Sequence, residues 1–400
     1  MSNTLLTTSL ITQEALLLLE LNLGFTLNVN REFDPKFGIE GAKIGYVVNV
    51  RRPVKYVGRT GQTVDIEDIQ ERSVPVVLDK QFGVDLEVST ADLSLAIDDF
   101  SKRILGPAVS RISHEVDRDG LKEFVNVYNS VGTPGTTPNA LLTYLQTCPK
   151  LDDAGAPRDE NRWMVISSLM EITIVDAVKA LFHATAQLAQ QYVKGRMGTA
   201  VGYEWVMDQN VQTHTVGAYA GTPLVNGASQ TGASIITDGW TSGSSTINKG
   251  DVFTLAGVNS VRPHTRDSTG VLQQFVCTAT LSDTAGAKTI QIDPPITLTG
   301  PYQTVSASPA NNAALTMVGI ASKATPQGLA YHRDAFCLAT ADLYVPNGVD
   351  MGGRSSDPQL GMSIRFIRDY DPQRDQLITR LDMLYGWKTL RAELACRVQA

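Results

Sequence analysis

The chain has 400 residues, a formal charge of −7, 42% hydrophobic and 19% charged residues, 33 glycines and 18 prolines. That length exceeds the usual span of one domain, and the Gly and Pro content points to many turns and short strands. The acidic balance excludes a protein that wraps nucleic acid, because neutralising phosphates takes clustered Lys and Arg.

The N-terminus has no basic region, and the apolar run Leu16 to Leu19 is flanked by Glu14 and Glu20. Neither a signal peptide nor a membrane span is expected there. Residues 12–23, with Thr12 as N-cap, predict a short helix whose leucines occupy nearly every side. Two placements fit it equally: an arm docked on another chain, or a helix buried in its own core. Residues 43–89 then read as strands around a polar segment holding Gly58 and Gly61, a long hairpin. One side of its tip carries Arg51, Arg52, Lys55 and Arg59, the other Asp65, Glu67, Asp68 and Glu71. Taken alone these charges favour a solvated excursion; the alternative is pairing with complementary charges on a neighbour.

Between residues 91 and 128, apolar side chains recur at the steps of an amphipathic helix: Leu93, Ile97, Phe100 and Ile104, then Leu105, Val109, Ile112 and Val116. A continuous helix there would be roughly 55 Å long, bent at Pro107, which removes a backbone donor, and weakened at Gly120. Two further helical patterns, at 139–148 and 174–195, flank a polar loop and a strand at 163–168, which is α/β packing. From residue 216 Gly, Ser and Thr abound. Short strand patterns follow one another at 233–240, 250–258, 272–281 and 288–296, as in an inserted all-β domain ending near 319. His332-Arg333-Asp334 matches the opening of a kinase catalytic loop. The rest of that machinery is missing: position 339 is Ala where a metal-binding Asn would stand, and no Gly-x-Gly-x-x-Gly or Asp-Phe-Gly occurs. The segment reads instead as a strand with Phe336, Leu338 and Leu343 in a core. Two long strand patterns, 362–387 and 392–400, close the chain.

No chemistry-bearing constellation emerges. Cys148, Cys277, Cys337 and Cys396 lie far apart, which predicts reduced, buried thiols. His114, His183, His214, His264 and His332 are dispersed, with no metalloprotease spacing, and there is neither a nucleophile elbow nor a Walker loop. No catalytic, cofactor-binding or metal-binding residues are expected.

The order of these textures, with several separated stretches, resembles the major coat proteins of tailed double-stranded DNA bacteriophages, in the short-tailed-phage subfamily with an inserted β-rich domain. IDDFSKRILGPAVSRISHEVDRDGL followed by VYNSVGTPG is similar to that family's spine helix and the loop after it. GRMGTAVGYEWVMDQNVQTHTVG is similar to its approach to the inserted domain, and LAYHRDAFCLATADLYVP and GMSIRFIRDYDP…RLDMLYGW to its return segments. The resemblance implies an α+β capsid fold: an N-terminal arm (1–32), an extended hairpin loop and base (33–90) and a spine helix of a peripheral domain (91–130). An axial domain in two parts (131–215 and 320–362), the inserted β-rich domain (216–319) and C-terminal peripheral strands (363–400) complete it. It implies a major capsid protein assembling through pentamers and hexamers into an icosahedral shell around double-stranded DNA, built in the host cytoplasm, with no membrane. Implied partners are other copies of the chain, a scaffolding protein, a portal protein and a decoration protein. On this reading the hairpin lies over an adjacent subunit, and its eight charged residues become inter-subunit contacts. Some relatives crosslink Lys to Asn between subunits; Lys55 is a candidate by location. The competing reading is a β-rich adhesin, which would explain the Gly/Ser/Thr-rich middle but neither the long helix nor the arm.

Overall fold

The computed structural model describes residues 8–33, 46–64, 66–69, 71–89, 105–178, 199–243, 245–282, 286–357, 362–371, 373 and 376–400. Two compact units emerge: one from 1–51, 73–120 and 336–390, the other from 52–72, 121–335 and 391–400. Strands and helices are numbered in chain order.

The first unit is built on a six-stranded sheet. Its strands are β1 (Asn30–Phe33), β4 (Lys80–Ser89), β17 (Phe336–Ala341), β18 (Met351–Asp357), β19 (Met362–Asp371) and β20 (Gln376–Thr389). The order is β1-β17-β20-β19-β18, with β4 also on β20. β4 runs antiparallel to β20 from Lys80 opposite Tyr385 to Ser89 opposite Gln376. The long strand patterns at 362–387 thus form a hairpin that organises the sheet. A separate two-stranded ladder pairs β2 (Tyr46–Arg52) with β3 (Arg72–Leu78). Val50, Val76 and Leu78 of this ladder share a core cluster with Cys337, Ala339 and Leu384. The expected long hairpin is therefore shorter than its sequence pattern: β4 leaves it for the sheet, and no strand lies among the described residues of 53–71.

Helix α1 (Thr8–Asn22) packs on β18 and β19 of its own chain, with Ala15, Leu16, Leu19 and Leu23 buried and Leu17 exposed. Of the two placements open to it, burial in its own unit is the one observed. After it, Asp117 of α2 (Gly106–Leu121) accepts hydrogen bonds from Gly24 N at 2.7 Å, Thr26 N at 2.9 Å and the Thr26 hydroxyl. Helix α2 buries Val109, Ile112 and Val116 and turns Arg111, Glu115 and Arg118 outward as ion pairs. Residues 91–104 of the expected long helix lie outside the described residues. Pro107 stands at the edge of the described residues, so the bend expected there depends on residues that lie outside them. Gly120 has a packing reason: a Cβ there would stand 2.6 Å from the Trp387 ring and 2.9 Å from Phe25.

The second unit holds a seven-stranded sheet and a barrel. The sheet comprises β5 (Ser130–Val131), β6 (Arg162–Ile166), β7 (Thr199–Ala200), β8 (Tyr203–Met207), β9 (Thr213–Thr215), β16 (Ala324–His332) and β21 (Ala395–Gln399). Its order is β5-β21-β16-β6-β8-β7, with β9 also on β16. Residues 395–399 thus pair with β16 and β5 rather than with β19 or β20. The helical pattern at 139–148 becomes two short helices, α3 (Leu141–Leu145) and α4 (Thr147–Asp153), and α5 (Ser168–Val178) follows β6. The part of the 174–195 pattern beyond Val178 lies outside the described residues.

Strands β10 (Gly221–Val225), β11 (Gly232–Trp240), β12 (Val252–Val261), β13 (Ser268–Cys277), β14 (Lys288–Ile296) and β15 (Leu315–Val318) pair in the order β10-β11-β14-β13-β12-β15. A bridge between Leu224 and Ala314, with Val225 N donating to Ala313 O, joins the two ends. Closure removes the exposed edges that short strands otherwise present. Strand β14 shows why the sequence folds this way: Ile290, Ile292 and Ile296 are buried while Thr289, Gln291 and Pro295 face out. The inward residues meet Phe253 and Phe275, whose rings stack at 5.9 Å.

His332 ends β16, Arg333–Ala335 form a single 3-10 turn and Phe336 starts β17. This corrects the reading of the triplet as the start of one strand: it is the turn between two strands of different sheets. Phe336, Leu338 and Leu343 are buried. All four cysteines are free thiols, three buried and Cys148 half-buried, so the expectation of four buried thiols is corrected at Cys148. Burial pushes Cys277 and Cys396 up to about 12. No helix among the described residues is long and apolar enough to cross a membrane.

Candidate functional site

Residues 53–71, here the arm, leave the β2–β3 ladder without forming a helix or strand among their described residues. Their shape comes from polar contacts within the second unit. At the outgoing end the Glu67 carboxylate accepts the amides of Val57 at 2.7 Å and Gly58 at 2.6 Å, so the returning chain clasps the outgoing one. Arg59 donates from Nη1 to Gly61 O. From the barrel, Arg266 donates from Nη2 to Val57 O at 2.7 Å and Tyr56 O at 3.3 Å. At the returning end the Arg72 guanidinium lies 3.5 Å over the Tyr302 ring.

The base of the arm is a charged cavity of about 830 Å³, lined by Arg52, Lys55, Arg72, Tyr128, Asp293 and Glu393 among others. Arg52 Nη2 stands 3.9 Å from Glu393 Oε2. Burial pulls Glu393 up, but the charges of Arg391, Arg52 and Lys55 outweigh it and hold the carboxyl below its usual range. Burial lowers Lys55, with Glu393 opposing. Asp293 is pushed up to about 6 by burial first and then by the charge of Glu393, with Arg52 pulling the other way. Two carboxylates near one guanidinium cannot both be fully compensated, and the less well paired one takes the shift.

The eight charged residues expected to make contacts divide accordingly. Arg52, Arg59 and Glu67 make the contacts within the chain described above, and Lys55 lines the cavity. Arg51, Arg59, Asp68 and Glu71 are exposed, and Asp65 lies outside the described residues. Beside them the arm exposes Val64 (72%), Ile66 (87%) and Ile69 (69%), an apolar edge larger than a solvated excursion explains. Charge counting missed the residues that anchor the arm, Arg72, Arg266, Tyr302 and Glu393. They are distant in sequence, and only the fold brings them together.

Nothing catalytic assembles elsewhere among the described residues. His214 Nε2 lies 2.8 Å from Asp251 Oδ1, but that carboxylate also receives Gly217 N and Asn248 N, and the His214 ring packs edge-on to Phe124. Arg397 completes this buried polar knot, donating to Val127 O and Gly250 O, each at 2.7 Å. His332 faces Asp159 at 3.3 Å and Asp334 at 3.7 Å, bracing the turn after β16. No group of three or more metal-ligating side chains forms among the described residues.

No curated protein matches the chain. Among solved structures it is similar to the capsid of Ralstonia phage GP4, at 9% identity over 94% of this chain and 88% of that one, with TM-score 0.48. It is similar to a Mycobacterium phage Che8 chain at 12% identity over 94% and 90%, with TM-score 0.45. The CUS-3 coat protein I-domain is 29% identical, covering 25% of this chain and 98% of that one, with TM-score 0.20. The model of the family described as P22 coat protein, gene protein 5, matches residues 41–398. That match takes in the β2–β3 ladder, α2, the barrel and the closing strands alike, and so leaves no support for the adhesin reading. The chain belongs to the P22 coat protein family: its α+β fold is that of tailed-phage capsid proteins and its function is that of a major capsid protein.

Proposed function

We propose that this capsid protein closes its shell through pentamers and hexamers in which the arm of each copy lies on the next copy. The supporting observation is the arm itself. It exposes Val64, Ile66 and Ile69 within one short run of chain, with exposed Arg59 before them and exposed Asp68 and Glu71 among and after them, an apolar strip flanked in sequence by charges of both signs. Such a strip suits a partner with the same composition, and repeated head-to-tail contacts of that kind generate closed rings. The domain boundaries given above carry over as the working division of this subunit: an N-terminal arm at 1–32, the extended loop and its base at 33–90 for lateral contacts, 91–130 with 363–400 as a peripheral domain, 131–215 with 320–362 around ring centres, and 216–319 as an inserted module. Assembly in the host cytoplasm, with a scaffolding protein, a portal protein and a decoration protein as partners, belongs to the same proposal. The net charge of −7 suits a shell that encloses double-stranded DNA without holding it fast. No catalytic step is assigned to the chain.

The test is charge reversal at the exposed rim. Arg51→Glu and Asp68→Lys should cut the yield of closed shells, seen by sedimentation and negative-stain microscopy, by more than they lower the unfolding midpoint of the subunit. Arg52→Glu should in addition destabilise the subunit, because it sets a carboxylate against Glu393. Normal shell yield from both Arg51→Glu and Asp68→Lys would overturn the proposal.

A further inference from the structure

The arm has little reason of its own to hold one shape. Its described residues form no strand, and Val64, Ile66 and Ile69 point into solvent. Ordering it costs about 1–2 kcal/mol per residue in backbone entropy. Two barrel loops nevertheless hold it, one near each end. Arg266 takes the carbonyls of Tyr56 and Val57 while Glu67 takes the amides of Val57 and Gly58, so the polar backbone groups of this short stretch are occupied on both sides. Tyr302 meets Arg72 at the other end.

The loop that carries Arg266 is itself built for the purpose. Residues 262–267 form the tip between β12 and β13, closed by Arg266 N to Arg262 O at 2.8 Å and Arg262 N to Asp267 O at 3.0 Å. Arg266 sits there at φ +62°, a left-handed conformation that glycine would adopt without strain. A hairpin tip of this kind ordinarily selects Gly or Asn. The strained residue is the one whose guanidinium reaches the arm, and the loop is tied down by Arg262 Nε on Asp153 Oδ1 at 3.1 Å. Backbone strain kept at a residue with a specific contact is a sign of a position selected for its side chain.

We infer that the inserted barrel is a brace for the arm of its own chain, with Arg266 and Tyr302 as positioning residues that order the arm before a second copy binds its apolar edge. The consequence for assembly rests on the proposed arm contact between copies; the brace does not. Ordering the arm in the free subunit moves the entropic cost out of the association step, which is how preorganisation raises affinity without adding contacts.

The experiment is hydrogen exchange of the 53–71 backbone in the full-length soluble subunit, with assembly rate measured in parallel. Arg266→Gly removes the clamp and relieves the left-handed strain, so the barrel should remain folded. Exchange in 53–64 should then rise about tenfold, the scale of losing charge-assisted hydrogen bonds, with no change in β12 or β14. Tyr302→Leu keeps the apolar body and removes the ring; it should raise exchange near residue 71 about threefold, and it decides the matter if Arg266→Gly does not fold. Unchanged arm exchange in the folded variants overturns the brace. Raised exchange with slowed assembly supports the brace and the arm contact together. Raised exchange with assembly at the normal rate upholds the brace and overturns the arm contact.

Discussion

Arg365 and Asp382 face each other across the β19–β20 ladder in a two-point pair, Nε to Oδ1 at 2.8 Å and Nη2 to Oδ2 at 2.6 Å. The Asp382 side chain has no solvent exposure, and it also receives Arg380 Nε at 2.8 Å and Gln81 Nε2 at 2.6 Å. One carboxylate therefore fastens β4, β19 and β20 together. Asp382→Asn keeps its shape but leaves the Arg365 guanidinium, 12% exposed, opposite a neutral amide. The expected loss is about 3–5 kcal/mol in denaturant unfolding, because breaking one side of a buried pair strands the other charge. Arg365→Met with Asp382→Leu should recover a large part of that loss. A stability for Asp382→Asn equal to wild type would remove the pair from any account of this sheet.

Gly120→Ala sets two effects against each other. Helix propensity favours Ala by about 1 kcal/mol in a helix interior. The new methyl, however, would stand 2.6 Å from the Trp387 ring and 2.9 Å from Phe25, where Phe25 and Trp387 already meet with centroids 5.5 Å apart. Displacing two packed aromatic rings costs about 1–3 kcal/mol or more, so packing wins and the variant should be less stable. A calorimetric midpoint above wild type would show that the rings yield freely. Tryptophan fluorescence should shift with the loss of stability.

Asp293 gives the second unit a pH dependence of definite sign. Its carboxyl titrates near 3.8 without perturbation and is pushed up to about 6 in the fold, facing Glu393 and Arg52. Between those values the folded protein holds a proton that the unfolded chain has released. Stability from this group is therefore full below about pH 4, falls as pH rises towards 6 and is level above that. For a half-buried group the loss is at most about 2 kcal/mol. Asp293→Asn should gain on wild type by that amount as pH goes from 4 to 7. A wild-type-minus-variant difference that stays flat across pH 4 to 7 would rule out this assignment.

The elements legible in the sequence were those whose periodicity is enforced by one-sided burial. The alternation of Ile290 and Ile292 with Thr289 and Gln291 announces β14, and Val109, Ile112 and Val116 announce α2. What escaped was long-range pairing. The alternation of β3 and β4 is continuous in sequence, yet the two part at Asp79, one joining β2 and the other β20, because register is set by a partner some 300 residues away. The arm shows the same division. Its charges were visible as a cluster, but that Arg52 faces Glu393 and that Arg266 holds the backbone carbonyls of Tyr56 and Val57 depended on residues that no local pattern connects to 52–71. The packing reason for Gly120 was hidden for a related reason: propensity is local, and the rings that need the empty Cβ position come from residues 25 and 387.

Asp117 offers a test of how α1 is held to its own chain. It is 2% exposed and accepts Gly24 N, Thr26 N and the Thr26 hydroxyl. Residues 24–26 follow α1 directly and carry Phe25 into contact with Phe336, with centroids 5.7 Å apart, and with Trp387. Asp117→Ala removes the acceptor of all three bonds at once and leaves a buried amide at Thr26 unsatisfied, a cost of about 1–3 kcal/mol. Because the aromatic contacts survive, the effect should be local. Backbone exchange over residues 12–28 should rise well before global unfolding, while the 376–389 strand stays protected. Thr26→Val removes only the hydroxyl and should cost about 1 kcal/mol or less, and combined with Asp117→Ala it should add little, since the two changes share a partner. If Asp117→Ala instead exposed β20 together with α1, the turn at 24–26 would be part of the core of the sheet and not a fastening of the N-terminal helix.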